Sequence, residues 1–301
     1  MDDHPVGPDR RPPWVDAELF PFTSRFVDVQ GHTVHYIDEG AGPTLLMLHG
    51  NPTWSFVYRE VISRLSDRFR CVACDYPGFG LSTAASGYGY RPEEHARVVA
   101  ELIERLDLRD VTLVMQDWGG PIGVHAAAAH PDRVTALVVA NTWAWPVNGD
   151  AHFEIFSRVM GGPVGRLAIR HLNLFVNAML PAGHKLRKLS GAEMAHYRAA
   201  LPDPPARHAS AVFPRAITAA RDFLGAVDSE LTALRHLPSL VLWAERDIAF
   251  RAAERERWER RLPNHTTVTI PGAGHYVQSD APGPFADAIA GWFDGESRRA
   301  R

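Results

Sequence analysis

One stretch limits the chain's folding options more than any other: Val111-Thr-Leu-Val-Met-Gln-Asp117-Trp118-Gly119-Gly120-Pro-Ile-Gly123, which runs on through an Ala-rich segment to His130. A β-branched apolar run ends abruptly, two glycines follow, and a helical segment begins. The pattern predicts a strand that passes through a sharp turn directly into a helix. Such a unit is stable only where strand and helix pack as layers. The residue at the tip of the turn is the carboxylate Asp117. Read locally, it could cap the helix that follows, since Asp is a favoured N-cap residue.

The same alternation extends along the chain. Ser24–Gln30 and His32–Asp38 flank Gly31 and predict a β-hairpin. Thr44–Leu48 and Arg70–Cys74 read as short buried strands, with helical patterning over Phe56–Leu65 between them. Val98, Val99, Leu102, Ile103 and Leu106 recur at helical spacing within His95–Leu106. Val111–Met115, Val134–Ala140, Ser239–Trp243 and Thr266–Ile270 complete the strands. From about 145 to 214 the alternation gives way to helices broken by Gly161-Gly-Pro163, Pro181-Ala-Gly183 and Pro202-Asp-Pro-Pro205. The expected class is α/β: a mostly parallel central sheet flanked by helices, with a helical cap inserted after the sixth strand, over the edge where such sheets bind ligands. Residues 22–144 and 215–301 then form the core domain, 145–214 the cap, and 1–21 a loose Pro-rich N-terminal arm.

With 46% apolar residues the chain can fill a large core, and a net charge of −3 argues against nucleic acid or an anionic membrane as partner. No secretory signal or membrane span is expected. The two cysteines, Cys71 and Cys74, are spaced as C-x-x-C, yet three positions apart on a strand they should face opposite ways. They read as buried small residues of a protein in a reducing cytoplasm. The sequence leaves self-association open.

Chemistry-bearing residues stand at predicted strand ends: His49-Gly-Asn51-Pro-Thr-Trp54, the Asp117 turn, Leu242-Trp-Ala-Glu-Arg-Asp247 and Pro271-Gly-Ala-Gly-His275. The order carboxylate, acid, histidine and the strand-to-helix turn are those of a nucleophile elbow and its triad in the α/β-hydrolase fold. A carboxylate at the elbow suits displacement at saturated carbon, with an alkyl ester as intermediate. Asn51 and Trp118 carry uncharged N–H donors. Asn51 also reads as a turn residue before Pro52, and Trp118 as a core aromatic. His49 reads as a hydrogen-bonding support for its loop, and the basic residues of the cap, Arg187 among them, as a solvated face.

In the segments His49–Trp54, Asp75-Tyr-Pro-Gly-Phe-Gly80, Gln116-Asp-Trp-Gly-Gly-Pro121 and Gly272–His275, the chain resembles the haloalkane dehalogenases, from about Phe20 to the last helix. The resemblance implies Asp117 as nucleophile, His275 as the base that activates water, and Asp247 as its acid partner. It implies Asn51 and Trp118 as halide donors, with their backbone N–H groups as the oxyanion hole. Small halogenated alkanes, water and halide are the implied partners, and no cofactor or metal is expected. Two positions depart from the pattern: Met115 where the elbow usually has a small residue, and Ala244 where the acid loop usually opens with Gly. Phe153, Phe156, Phe175, Met179 and Phe250 read as pocket lining or as core. An epoxide hydrolase is the nearest rival; it needs cap acids to protonate the ring oxygen, and this cap offers only Tyr197. A fluoroacetate-type dehalogenase typically carries Arg where this chain has Trp118. A non-catalytic receptor on the same scaffold is the rival from another class.

Overall fold

Eight strands form one sheet: β1 (Arg25–Val29), β2 (His32–Glu39), β3 (Thr44–Leu48), β4 (Arg70–Cys74), β5 (Val111–Asp117), β6 (Val134–Thr142), β7 (Ser239–Ala244) and β8 (His265–Ile270). Their spatial order is β1-β2-β4-β3-β5-β6-β7-β8. The structure, a computed structural model, describes residues 11–299. β1 and β2 pair antiparallel through a two-residue turn at Gln30 and Gly31, both with positive φ, as a tight hairpin requires. β2 joins β4 antiparallel, and every pairing from β4 to β8 is parallel. β3 and β5 are buried along their whole length. Helices cover both faces of such strands, which explains their largely apolar sequence.

The helices are α1 (Arg59–Leu65), α2 (Pro92–Arg105), α3 (Gly119–Ala129), α4 (Ala151–Gly161), α5 (Pro163–Leu172), α6 (Leu180–Gly183), α7 (Gly191–Ala200), α8 (His208–Ala219), α9 (Arg221–Leu234), α10 (Ala252–Arg261), α11 (Val277–Asp280) and α12 (Pro282–Arg299). α2, α3 and α9 supply one core layer with Leu46 and Leu48. α1 and α12 supply the other with Leu45 and Met47. Cys71 belongs to the second layer and Cys74 to the first, so the two thiols do face apart. Both are free and buried, and burial raises their pKa, to about 12 for Cys71.

Helices α4 to α8 all fall between β6 and β7, as the patterning predicted. α8 runs through position 214 to Ala219. A π-helical turn, Phe175–Met179, precedes α6.

Two expectations need correction. Residues 1–10 of the arm lie outside the described residues, but from Arg11 onward the chain is packed. Val15 and Phe20 are buried, and the Trp14 ring meets Trp54 edge-on at 5.8 Å. Arg11 donates to the Phe20 and Phe22 carbonyls at 3.0 and 2.6 Å. The aromatic anchors outweigh the Pro-rich composition. Arg187 is also no free surface cation: it bonds Glu193 at 2.8 Å and Glu60 at 3.1 Å, and Glu193 in turn pairs with buried Arg59. Among the described residues, no helix is long and apolar enough to cross a membrane.

Candidate active site

β5 ends at Asp117 with φ +51°, a left-handed conformation that side chains other than glycine rarely adopt. Neighbours hold it there. The Thr142 hydroxyl donates to the Asp117 carbonyl, and the Trp258 indole N–H donates to the Thr142 carbonyl at 2.8 Å. Crowding from Met115 is relieved across the turn: a Cβ on Gly123 would lie 2.7 Å from the Met115 sulfur. Gly50 is equally constrained, since a Cβ there would collide with the Asp117 carboxylate. Its absence lets the β3 loop close in, and the Asn51 backbone N–H donates to Asp117 Oδ2 at 2.9 Å.

The Asp117 side chain therefore turns back to the β3 loop, and it does not cap α3, whose cap residue is Trp118. Burial raises the Asp117 pKa, against the opposing pull of His275 and of the Asn51 and Trp118 backbone N–H groups. A carboxylate so buried and held in place by two amide donors can serve as a nucleophile.

His275 follows β8 and Asp247 follows β7. His275 Nδ1 lies 3.0 Å from Asp247 Oδ2. With its Nδ1–H donating a hydrogen bond to the carboxylate, Nε2 is left as the basic nitrogen. Two residues that the sequence did not single out complete the arrangement. Asn141, at the end of β6 with φ +43°, donates from Nδ2 to Asp247 Oδ2 at 2.8 Å and accepts the Ala244 N–H at 2.9 Å. Gln116 Nε2 lies 3.1 Å from the His275 carbonyl and 3.3 Å from its Nε2. Asn141 is a polar residue near the end of the apolar run of β6, but its partner follows only from the fold. Gln116 carried no signal beyond its place beside Asp117.

These groups open onto one cavity of about 270 Å³. Asn51, Asp117, Trp118 and His275 line it, as do Phe153, Phe156, Phe175, Met179 and Phe250. Trp143, Pro214 and Tyr276 line it as well and were not foreseen. Asp247 stays behind His275 with a fully buried side chain. The Trp118 ring packs edge-on against Trp143 at 4.6 Å and near Phe213 at 4.9 Å. Tyr197 packs against Phe56 and is not among the lining residues. His49 supports its loop: Nδ1 bonds the Gly50 carbonyl at 2.9 Å, Nε2 accepts the Tyr76 N–H at 3.2 Å, and burial lowers its pKa to about 4. Asp150 caps α4 and binds Arg251 at 2.5 Å, so this carboxylate is engaged away from His275.

Comparison with known proteins identifies the family. Residues 43–282 match the family model for the alpha/beta hydrolase fold. The chain is 46% identical to Haloalkane dehalogenase 2 of Mycobacterium tuberculosis over 276 residues, 91% of this chain and 96% of that protein. It is 29% identical to the cis-3-alkyl-4-alkyloxetan-2-one decarboxylase of Shewanella oneidensis over 272 residues, 87% of this chain and 86% of that one. The crystal structure of haloalkane dehalogenase DbeA from Bradyrhizobium elkani superposes with a TM-score of 0.84 at 28% identity, covering 92% of this chain and 99% of that one. Both the fold and the extent of the match lead to one assignment: the chain is a hydrolase that belongs to the haloalkane dehalogenase family.

Proposed function

We propose that the enzyme hydrolyses uncharged haloalkanes to alcohol and halide through an alkyl ester on Asp117. The observation that carries this reading is a buried elbow carboxylate, its pKa raised by burial, facing an apolar cavity that also holds His275. In the first step an Asp117 oxygen attacks the carbon bearing the halogen. The C–O bond forms as the carbon–halogen bond breaks, and the halide leaves towards the N–H groups of Trp118 and Asn51. Neutral donors stabilise the developing charge without trapping the product. In the second step His275 Nε2 takes a proton from water, and the hydroxide adds to the ester carbonyl carbon of Asp117. The backbone N–H groups of Asn51 and Trp118, which hold the resting carboxylate, then hold the oxyanion. Collapse restores the carboxylate and releases the alcohol, and the proton taken from water leaves with the halide. Asp247 orients His275 throughout.

No Lys or Arg is among the residues lining the cavity, which favours apolar substrates over haloacids. Tyr197 lies elsewhere, so the cap tyrosine an epoxide hydrolase would use to protonate the ring oxygen is missing. Residues 145–214 act as the cap that closes the cavity over the core formed by 22–144 and 215–301.

His275→Gln should release about one halide per enzyme and then stop. Intact mass should rise by one alkyl group, mapped to Asp117. In wild-type single turnover in labelled water, the label should enter the Asp117 carboxylate. Label found only in the alcohol would mean direct attack by water and would sink the covalent reading. A panel of bromoalkanes, styrene oxide and a cis-3,4-dialkyl oxetan-2-one should give turnover with the bromoalkanes. Turnover of the epoxide or the lactone alone would reassign the activity.

A further inference from the structure

Helix α8 contains Pro214 in its interior. Proline has no N–H, so the helical bond from residue 214 to the Ser210 carbonyl cannot form, and the ring pushes on that same carbonyl. Ser210 is buried, where a carbonyl without a partner is costly. Asn51 donates to it: its Nδ2 lies 3.3 Å from the Ser210 oxygen. Pro214 and Asn51 line the same cavity. The other end of the amide, Asn51 Oδ1, is buried and has no hydrogen-bond partner among the described residues.

We propose that Pro214 is a positioning residue for the halide site: by releasing the Ser210 carbonyl from the helix ladder, it supplies the acceptor that fixes which end of the Asn51 amide is nitrogen. This rests on the reading of Asn51 as a halide donor. A primary amide has two N–H bonds at one end and an oxygen at the other. Without an anchor it can turn over and present Oδ1 to the departing anion, which repels it. One N–H spent on Ser210 fixes the orientation and leaves the second for the halide. Because Oδ1 makes no bond, the Ser210 contact decides the matter. A residue with an N–H at 214 would reclaim the carbonyl for the helix and loosen the amide.

The test measures bromide affinity by tryptophan fluorescence quenching in the wild type, Pro214→Ala, Asn51→Ala and the double variant. Thermal unfolding checks that each protein is folded. Pro214→Ala should weaken bromide binding on the order of fivefold, the scale of one neutral hydrogen bond. Asn51→Ala should weaken it at least as much, and the double variant no further than Asn51→Ala alone. A fourth protein carries lactic acid at 214, introduced by nonsense suppression. It lacks both the proline ring and the N–H, and should bind bromide as the wild type does. Additive effects in the double variant, or a lactate protein as weak as Pro214→Ala, would mean that the ring acts by contact alone and would overturn the proposal. Wild-type affinity in Asn51→Ala would instead remove Asn51 from the halide site, a separate result that takes the proposal with it.

Discussion

His275 sits under opposing influences. Burial lowers its pKa, but the charge and hydrogen bond of Asp247, with the further charge of Asp117, outweigh that and leave it raised above 6.5. In the proposed mechanism His275 acts as a base and must be neutral, so ester hydrolysis should fail as pH drops. The proposed ester intermediate would lack the Asp117 charge, and with it one of the influences that raise the ring. The acid limb of ester decay should therefore lie below the pKa of His275 in the free enzyme. NMR titration of the ring should give a value above 6.5 in the wild type and a lower one in Asp117→Ala. An ester limb at or above the free-enzyme value would contradict this account. The residue types for this chemistry were readable from the sequence because each stands at the end of an apolar run. Their supports were not: Asn141 meets Asp247 across 106 positions and Gln116 meets His275 across 159.

The elbow element shows why one local departure is tolerated. Met115 is large for its place, and Gly123 on α3 makes the room for it. Gly123→Val should force the two together, since strain from overpacking is typically about 1–3 kcal/mol. Valine regains little of this through helix propensity. The melting temperature should fall by roughly 2–4 °C per kcal/mol lost. Met115→Ala in the same chain should restore most of it, and an unchanged melting temperature in Gly123→Val would refute the packing argument. Elements of this kind are visible as periodicity, which is why the strands and α3 emerge near their predicted positions. The onset at Phe56 is a 3₁₀ turn, Ser55–Tyr58, before α1 begins, and α2 starts at Pro92, where proline suits a first helical turn. Helix ends depend on such details of capping, which periodicity does not carry.

Across the whole molecule, the segment after α6 is joined to α11 and the loop after β8 through one buried carboxylate. Asp280 accepts the N–H groups of Lys185, Leu186 and Arg187, at 2.9, 3.0 and 3.1 Å, and that of Gly274 at 2.8 Å. One carboxylate thus pins the chain after α6 to the residue before His275. Asp280→Ala should cost on the order of 3 kcal/mol, because four backbone donors lose one buried acceptor at once. Hydrogen exchange at the 185–187 amides should accelerate in that variant; unchanged exchange would show that the strap is held by other contacts. The sequence by itself determined the layered fold, the carboxylate at the elbow, and the order of Asp117, Asp247 and His275, because these follow from local periodicity and from side-chain chemistry at strand ends. Only the tertiary structure decided the packing of the N-terminal segment from Arg11, the partners of Asn141 and Gln116, and the use of the carbonyl that Pro214 releases. Each of these is a contact between residues far apart in the chain, set by where the sheet and the helices bring them together, and short-range patterns hold no record of that distance.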